Sequence, residues 1–314
     1  MKRPLTFIFA VAIVAAAGTF AASELIGNRP QVAAAPLKSV TAVSAHLRVG
    51  VFEPGAPRSY TPLQQFAIAT GVKPGIALWY SGWGDRFWIP FADDAASHGA
   101  LPFVQINPGR VTMSDIASGK QDAYIGYYAR AVRTFGKPVI IGFAAEMNGT
   151  WDRWGRGHVP PAQWIAAWRH FVTVFRQQGA RNVIWLWTIN AMNLNATSAS
   201  PQPWWPGDNY VTWVGIDGYY YRATDTYQSV FGTTIAAVRQ FTSRPVLISE
   251  TGIGPVAGPS KIASLFTSAR QDHLIGIVWF DEKQDGNDYH QDWRLTDSPA
   301  ALSEFSQAAK AAQR

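Results

Sequence analysis

Cysteine is missing from all 314 residues, which excludes disulfides, thiolate metal sites, a cysteine nucleophile and a lipid-modified N-terminal cysteine. Histidine is scarce too. None of the six stands at a His-x3-His spacing, so a catalytic zinc has no ligand pattern to rest on. Charged residues are only 15% of the chain; the formal balance is +6, but Lys and Arg are scattered singly. Without a basic run, a nucleic-acid partner is not expected. Long apolar runs are absent but for one, in which Lys2 and Arg3 precede Leu5 to Ala22 and the small residues Ala21-Ala22-Ser23 close it. That is the pattern of an export signal. A run of about 18 residues lies at the lower limit for crossing a ~30 Å hydrocarbon core. Residues 1–22 are therefore a signal peptide or an uncleaved anchor, and the protein is expected to be secreted or held at the outer face of the membrane. Residues 23–45, rich in Ala, Val and Pro, read as a tether.

What is present is a folded chain, 47% hydrophobic, with 14 tryptophans. Tryptophan fills cores, and its flat apolar face also suits sugar rings. From Leu47 onward, apolar β-branched runs recur at Leu47–Phe52, Gly75–Tyr80, Leu101–Ile106, Val139–Phe143, Val183–Thr188, Val214–Tyr219, Val246–Ser249 and Ile275–Phe280. These eight candidate strands start 26 to 44 residues apart, which leaves room for one helix and two loops in each interval. The helical signals agree: Thr61-Pro62 opens one helix, Asp122 to Thr134 forms another, and Pro160-Pro161 precedes an amphipathic run through Gln178, stopped by Gly179. Trp164 and Trp168 stand i, i+4 on that last helix and are expected in the core. Eight β-then-α units with continuously apolar strands favour an α/β (β/α)8 TIM barrel over an open doubly wound sheet. An open sheet would also want a glycine-rich phosphate turn, and Phe52-Glu53-Pro54-Gly55 is not one. We expect a single domain over residues 46–314, a monomer, with no cofactor.

In such a barrel, chemistry sits at the carboxyl ends of the strands. Ala144-Ala145-Glu146-Met147-Asn148-Gly149 follows strand 4, and strand 7 ends Ser249-Glu250-Thr251-Gly252. Strands ~4.8 Å apart and tilted ~36° put these two ends roughly 14 Å apart across the mouth. Glutamates reaching inward by about 4 Å would end about 5–6 Å apart, near the ~5–5.5 Å of a retaining glycosidase. Aromatics at strand ends, Trp79 and Trp83, Trp151 and Trp154, Trp204 and Trp205, and Trp279, are candidates to hold a sugar chain, as are Asn190 and Asp85 for its hydroxyls. Trp185 and Trp187 share one face of strand 5 and belong in the core, and Asp217 is expected as a structural acceptor. The oxygen-rich stretch Asp281 to Asp288 reads as a solvated acidic loop, with calcium as its alternative.

The segments Glu146-Met147-Asn148-Gly149 with Trp151 and Trp154, Trp205-Pro206-Gly207-Asp208-Asn209-Tyr210-Val211 leading into Val214–Tyr219, and Ile248-Ser249-Glu250-Thr251-Gly252 together resemble glycoside hydrolase family 26. The resemblance covers about Leu47 to Trp293. It implies retaining hydrolysis of a β-linked polysaccharide such as β-mannan, mixed-linkage β-glucan or β-xylan. Glu146 matches the acid/base and Glu250 the nucleophile. Tyr219 matches a tyrosine bonded to the nucleophile, Trp279 the platform under the cleaved sugar, and Trp151 a substrate-site tryptophan. The chain departs from the family at Ala145, where His is usual, and at Gly142, where Arg is common. A carbohydrate-binding pseudoenzyme and a glycosidase for the producer's own envelope or exopolysaccharide stand as alternatives.

Overall fold

The computed structural model describes residue 41 and residues 46–192, 198–284 and 291–314. The N-terminal signal and most of the tether lie outside the described residues. Among those described, no helix is long and apolar enough to cross a membrane.

Eight strands form a closed parallel barrel: β1 (Arg48–Phe52), β2 (Ile76–Gly82), β3 (Leu101–Asn107), β4 (Val139–Phe143), β5 (Val183–Asn190), β6 (Trp213–Asp217), β7 (Val246–Thr251) and β8 (Gly276–Phe280). β8 closes on β1 in register from Arg48 opposite Gly276 to Phe52 opposite Phe280. Period-2 alternation divides the apolar residues into two cores. Ile76, Leu78, Phe103, Ile140, Leu186, Leu247, Val278 and Phe280 fill the barrel, while Ala77, Trp79, Val104, Ile141, Trp187, Ile248 and Trp279 face the helices. Both faces are buried, which is why the strands read as unbroken apolar runs.

The helices are α1 (Thr61–Thr70), α2 (Ile89–Ser97), α3 (Met113–Ala117), α4 (Asp122–Phe135), α5 (Pro161–Gln177), α6 (Thr233–Val238), α7 (Lys261–Gln271) and α8 (Pro299–Ala312). α1 and α5 carry proline in the first turn, where no intrahelical N–H is needed. Trp164 and Trp168 are buried and stacked 5.3 Å apart, as their i, i+4 spacing requires. One interval differs from the expected β-then-α pattern. Between β5 and β6 the described residues hold only two single 3-10 turns, Gln202–Trp204 and Asp208–Tyr210, because Pro201, Pro203 and Pro206 deny a helix its hydrogen bonds there.

One irregularity positions the site. On β7, Ile248 pairs with Ile216, yet Glu250 pairs with the very next residue of β6, Asp217, so β7 carries one extra residue. The same shift appears against β8, where Ile248 pairs with Ile277 and Thr251 with Trp279. Leu247 faces the barrel interior, so strict alternation would turn Glu250 outward. The bulge re-aims it into the mouth, a known use of bulges beside functional sites.

Candidate active site

A cleft opens at the carboxyl ends of the strands, lined by residues that include Tyr80, Gln105, Ala145, Glu146, Asp152, Trp154, Asp217, Tyr219, Glu250 and Phe280. Glu250 comes from the β7 bulge. Tyr80 Oη at the end of β2 donates to its Oε1 at 2.5 Å, and Tyr219 Oη just past β6 donates to its Oε2 at 2.9 Å. Burial and the Glu250 charge push both phenols well above their ordinary pKa, so they remain donors. Burial pushes the Glu250 carboxyl up as well, and the two tyrosine bonds pull it back towards the ionised form.

Glu146 sits in the loop after β4. Its N–H reaches Thr188 O at 3.0 Å, which prolongs the β4–β5 ladder past the strand. Ala144 (φ 47°) and Glu146 (φ 58°) are both left-handed without being glycine, a conformation costing about 1–3 kcal/mol each that the surroundings must enforce. The surroundings are visible. Asn148, fully buried, donates to Asn190 O at 2.7 Å and accepts from Asn190 N at 2.9 Å, locking the loop to the end of β5. Asn190 Nδ2 then donates to Glu146 Oε1 and Trp151 Nε1 to Glu146 Oε2, each at 2.8 Å. Trp151 lies over the backbone of Gly149, where a Cβ would meet its ring at 2.2 Å, so only glycine lets the indole reach the carboxyl. Burial first, then the Glu250 charge, pushes the Glu146 carboxyl up to about 8, against the opposing bonds of Asn190 and Trp151.

The structure thus brings Glu146, Glu250, Tyr219, Asn190 and Trp151 together. Three expected aromatics lie elsewhere. Trp279 alternates outward on β8: its ring packs on Phe305 of α8 at 5.3 Å, its Nε1 bonds Trp293 O at 2.8 Å, and the neighbouring Phe280 takes the cleft-facing position. Trp83 packs between Tyr124 and Phe143 with its Nε1 on Gln121 Oε1. Trp205 packs on Trp187 and Phe241 in the outer core. In each case the platform role gives way to packing between barrel and helices. Asp85 caps a turn through Gly82 N at 2.6 Å, and Asp217 accepts from Ser249 Oγ at 2.6 Å while also lining the cleft. The acidic stretch falls outside the described residues from Asp285 to Asp288. Among the described residues no group of three or more His, Asp or Glu side chains forms a metal cluster.

Tyr80, Gln105, Asn148, Asp152 and Phe280 are the cleft or support residues that sequence reasoning missed. Tyr80 is the last residue of the expected second strand, so a search of strand ends for hydroxyls as well as carboxylates would have found it. Gln105 also explains the departure at Gly142. A Cβ on Gly142 would lie 1.8 Å from Gln105 Oε1, so the inward space of β4 is filled from β3, with Gln105 Nε2 bonded to Thr188 Oγ1 at 2.9 Å.

The closed parallel barrel and its cleft with one glutamate after the fourth strand and one on the seventh define a class of (β/α)8 proteins. Within it, the sequence pattern of glycosyl hydrolase family 26 matches residues 122–294, more than half the chain, and the protein belongs to that family. Endoglucanase H of Acetivibrio thermocellus is 31% identical over 280 residues, covering 83% of this chain and 30% of that protein. A β-1,3-xylanase from a Vibrio species is 30% identical over 182 residues, 54% of this chain and 36% of its own length. The chain therefore spans about a third of each of these two curated relatives. Among solved structures, a family 26 β-mannanase from Bacteroides ovatus superposes with a TM-score of 0.62 at 14% identity, covering 88% of this chain and 92% of that one. A modular endo-β-1,4-mannanase from Cellulomonas fimi gives 0.66 at 15% identity, covering 87% and 72%. These structures share the fold.

Proposed function

We propose that the protein is an exported retaining glycoside hydrolase that cleaves a β-linked polysaccharide of the mannan or glucan type by double displacement. The observation that carries this is the contrast between two glutamates of one cleft. Glu250 receives hydrogen bonds from two phenols that favour its anion, whereas Glu146 is held protonated up to about pH 8 by burial and by the Glu250 charge. Unequal environments of this kind assign an acid and a nucleophile. Glu146 donates its proton to the departing glycosidic oxygen as Glu250 attacks the anomeric carbon, forming a glycosyl-enzyme. Glu146, now ionised, takes a proton from the water that attacks that carbon and frees Glu250. Asn190 and Trp151 hold the Glu146 carboxyl in place, and Tyr80 and Tyr219 hold Glu250.

The enzymes named for the relatives, an endoglucanase, a β-1,3-xylanase and β-mannanases, support a β-linked backbone. Ala145 and the Gly142–Gln105 exchange favour a second form of the same reading, in which the backbone is not mannan and includes a glycan made by the producer itself. Product analysis across mannan, mixed-linkage glucan, xylan and exopolysaccharides chooses between them.

The roles are tested with Glu250→Ala, which should lose turnover by about a thousandfold or more. Azide should restore part of it by yielding a glycosyl azide of inverted configuration. Undiminished hydrolysis by that variant would refute the assignment. A wild type that binds glycan saturably and releases no reducing ends would leave a carbohydrate-binding protein.

A further inference from the structure

The cleft is rich in acid and poor in base. Its lining holds four carboxyls, Glu146, Asp152, Asp217 and Glu250, and no Lys, Arg or His is among the described residues that line it. The chain as a whole has the opposite sign, at +6, so the acidity belongs to the cleft and not to the composition. Ala145 and Gly142 stand where the family commonly carries His and Arg, which removes two groups that would have balanced it. The four carboxyls do not share the charge equally. Burial and the neighbouring carboxylates push Asp217 well above the usual range and Glu146 up to about 8, so both keep their protons at neutral pH. Glu250 is held between two phenols. Asp152 is half-buried, and burial is the one influence that moves it, up to about 7, so no donor or cation among the described residues engages its carboxylate. A second acceptor is bare as well. Gln105 lines the same cleft, is 4% exposed, commits its Nε2 to Thr188 Oγ1 and has no donor on its Oε1. Buried oxygens of this kind are costly until a donor reaches them. The cleft therefore offers a ligand acceptors and negative charge, and it lacks donors and positive charge.

We infer that the glycan taken by this cleft carries free amino groups: a β-linked, glucan-type chain containing unacetylated hexosamine, with an ammonium bonded to the Asp152 carboxylate. The inference rests on the proposed hydrolase function and narrows its substrate class. A hydroxyl supplies a donor without charge, whereas an ammonium supplies three donors and the compensating charge to a carboxylate that has neither. Low-dielectric walls strengthen that attraction, and the same negative field keeps the amine protonated at neutral pH. N-acetylation removes the charge, and a uronate meets repulsion. The overall +6 draws acidic glycans to the surface at large, so a preference for a cationic one arises only in the cleft.

The test uses four β-1,4-linked oligosaccharides of equal length, built of glucosamine, N-acetylglucosamine, glucose and glucuronic acid. Wild type is assayed for kcat/KM by product release, and Glu250→Ala for Kd by calorimetry. The glucosamine oligomer should exceed each of the other three by about tenfold or more in both measurements, the size of one hydrogen bond to a charged group. That advantage should shrink as NaCl rises from about 0.02 M to about 0.5 M, since an ion pair at a cleft open to solvent is screened. Asp152→Asn should cut it to about threefold or less. Equal values for the glucosamine and glucose oligomers, or a lead for any of the other three, would overturn the inference. So would an Asp152→Asn variant that weakens all four alike, which is the mark of a structural role. Calorimetric preference for the glucosamine oligomer with no cleavage of any oligomer by wild type would uphold the selection and overturn the hydrolase reading alone.

Discussion

Asn190 illustrates how one amide tunes a carboxyl. Its Nδ2 bond to Glu146 Oε1 favours the anion and works against burial and the Glu250 charge, which together set the carboxyl at about 8. On the proposed assignment Glu146 must be protonated to donate, so kcat/KM is expected to fall as pH rises through about 8, and to fall on the acid side as Glu250 gains a proton. Asn190→Ala removes the opposing bond. The alkaline limb should then move to higher pH while the rate at the optimum drops about fivefold to tenfold, equivalent to roughly 1–1.5 kcal/mol. A pH–rate profile of the variant checks both, and an alkaline limb that moves down would contradict the bond's direction. Asn190 was legible in the sequence as a strand-end polar residue. Its partner Asn148 was not, because a buried side chain that bonds backbone leaves no spacing signature.

At the scale of elements, β3 and β4 share one volume. The inward position of β4 at Gly142 is empty of side chain because Gln105 of β3 occupies it, with its Oε1 at 1.8 Å from where a Cβ would stand. Gly142→Ala should therefore destabilise the fold by about 1–3 kcal/mol, the usual range for overpacking a filled interior. Combined with Gln105→Ala, the loss should be smaller than the sum of the two single losses, since the second change vacates the contested space. Denaturant unfolding of the three variants measures the coupling, and strict additivity would show that the two side chains do not compete. The eight strands were legible from their apolar runs, and α4 and α5 from their caps and periodicity. The β5–β6 interval was not, because its length suited a helix while its prolines forbade one. The outward turn of Trp279 was missed for a related reason. A run buried on both faces does not reveal which residues point in, and alternation had to be counted from the barrel core to place Phe280 in the cleft.

Across the whole molecule, several wholly or partly buried carboxyls have raised pKa values: Glu146 to about 8, Asp152 to about 7, and Glu53, which shares a hydrogen bond with Asp281, to about 9. Each is raised above its unfolded value, so between those values the native state holds more protons than the unfolded chain. Their contribution to stability is fully present below about pH 4 and is lost as pH rises through about 7 to 9. Tm is therefore expected to decline from about pH 5 to about pH 9, and Glu53→Gln should flatten that decline. Scanning calorimetry across the range checks it, and a slope unchanged in the variant would remove Glu53 from the account.

The sequence alone determined the barrel and its two glutamates, because continuous apolar strands at regular intervals and strand-end carboxylates are local patterns that one chain displays in order. Only the tertiary structure decided how those glutamates differ. Tyr80 lies 170 positions from Glu250, and the β7 bulge that aims Glu250 inward is a mismatch with β6 and β8, not a property of β7. Hydrogen bonds and register across strands join residues far apart in the chain, and no local pattern records them.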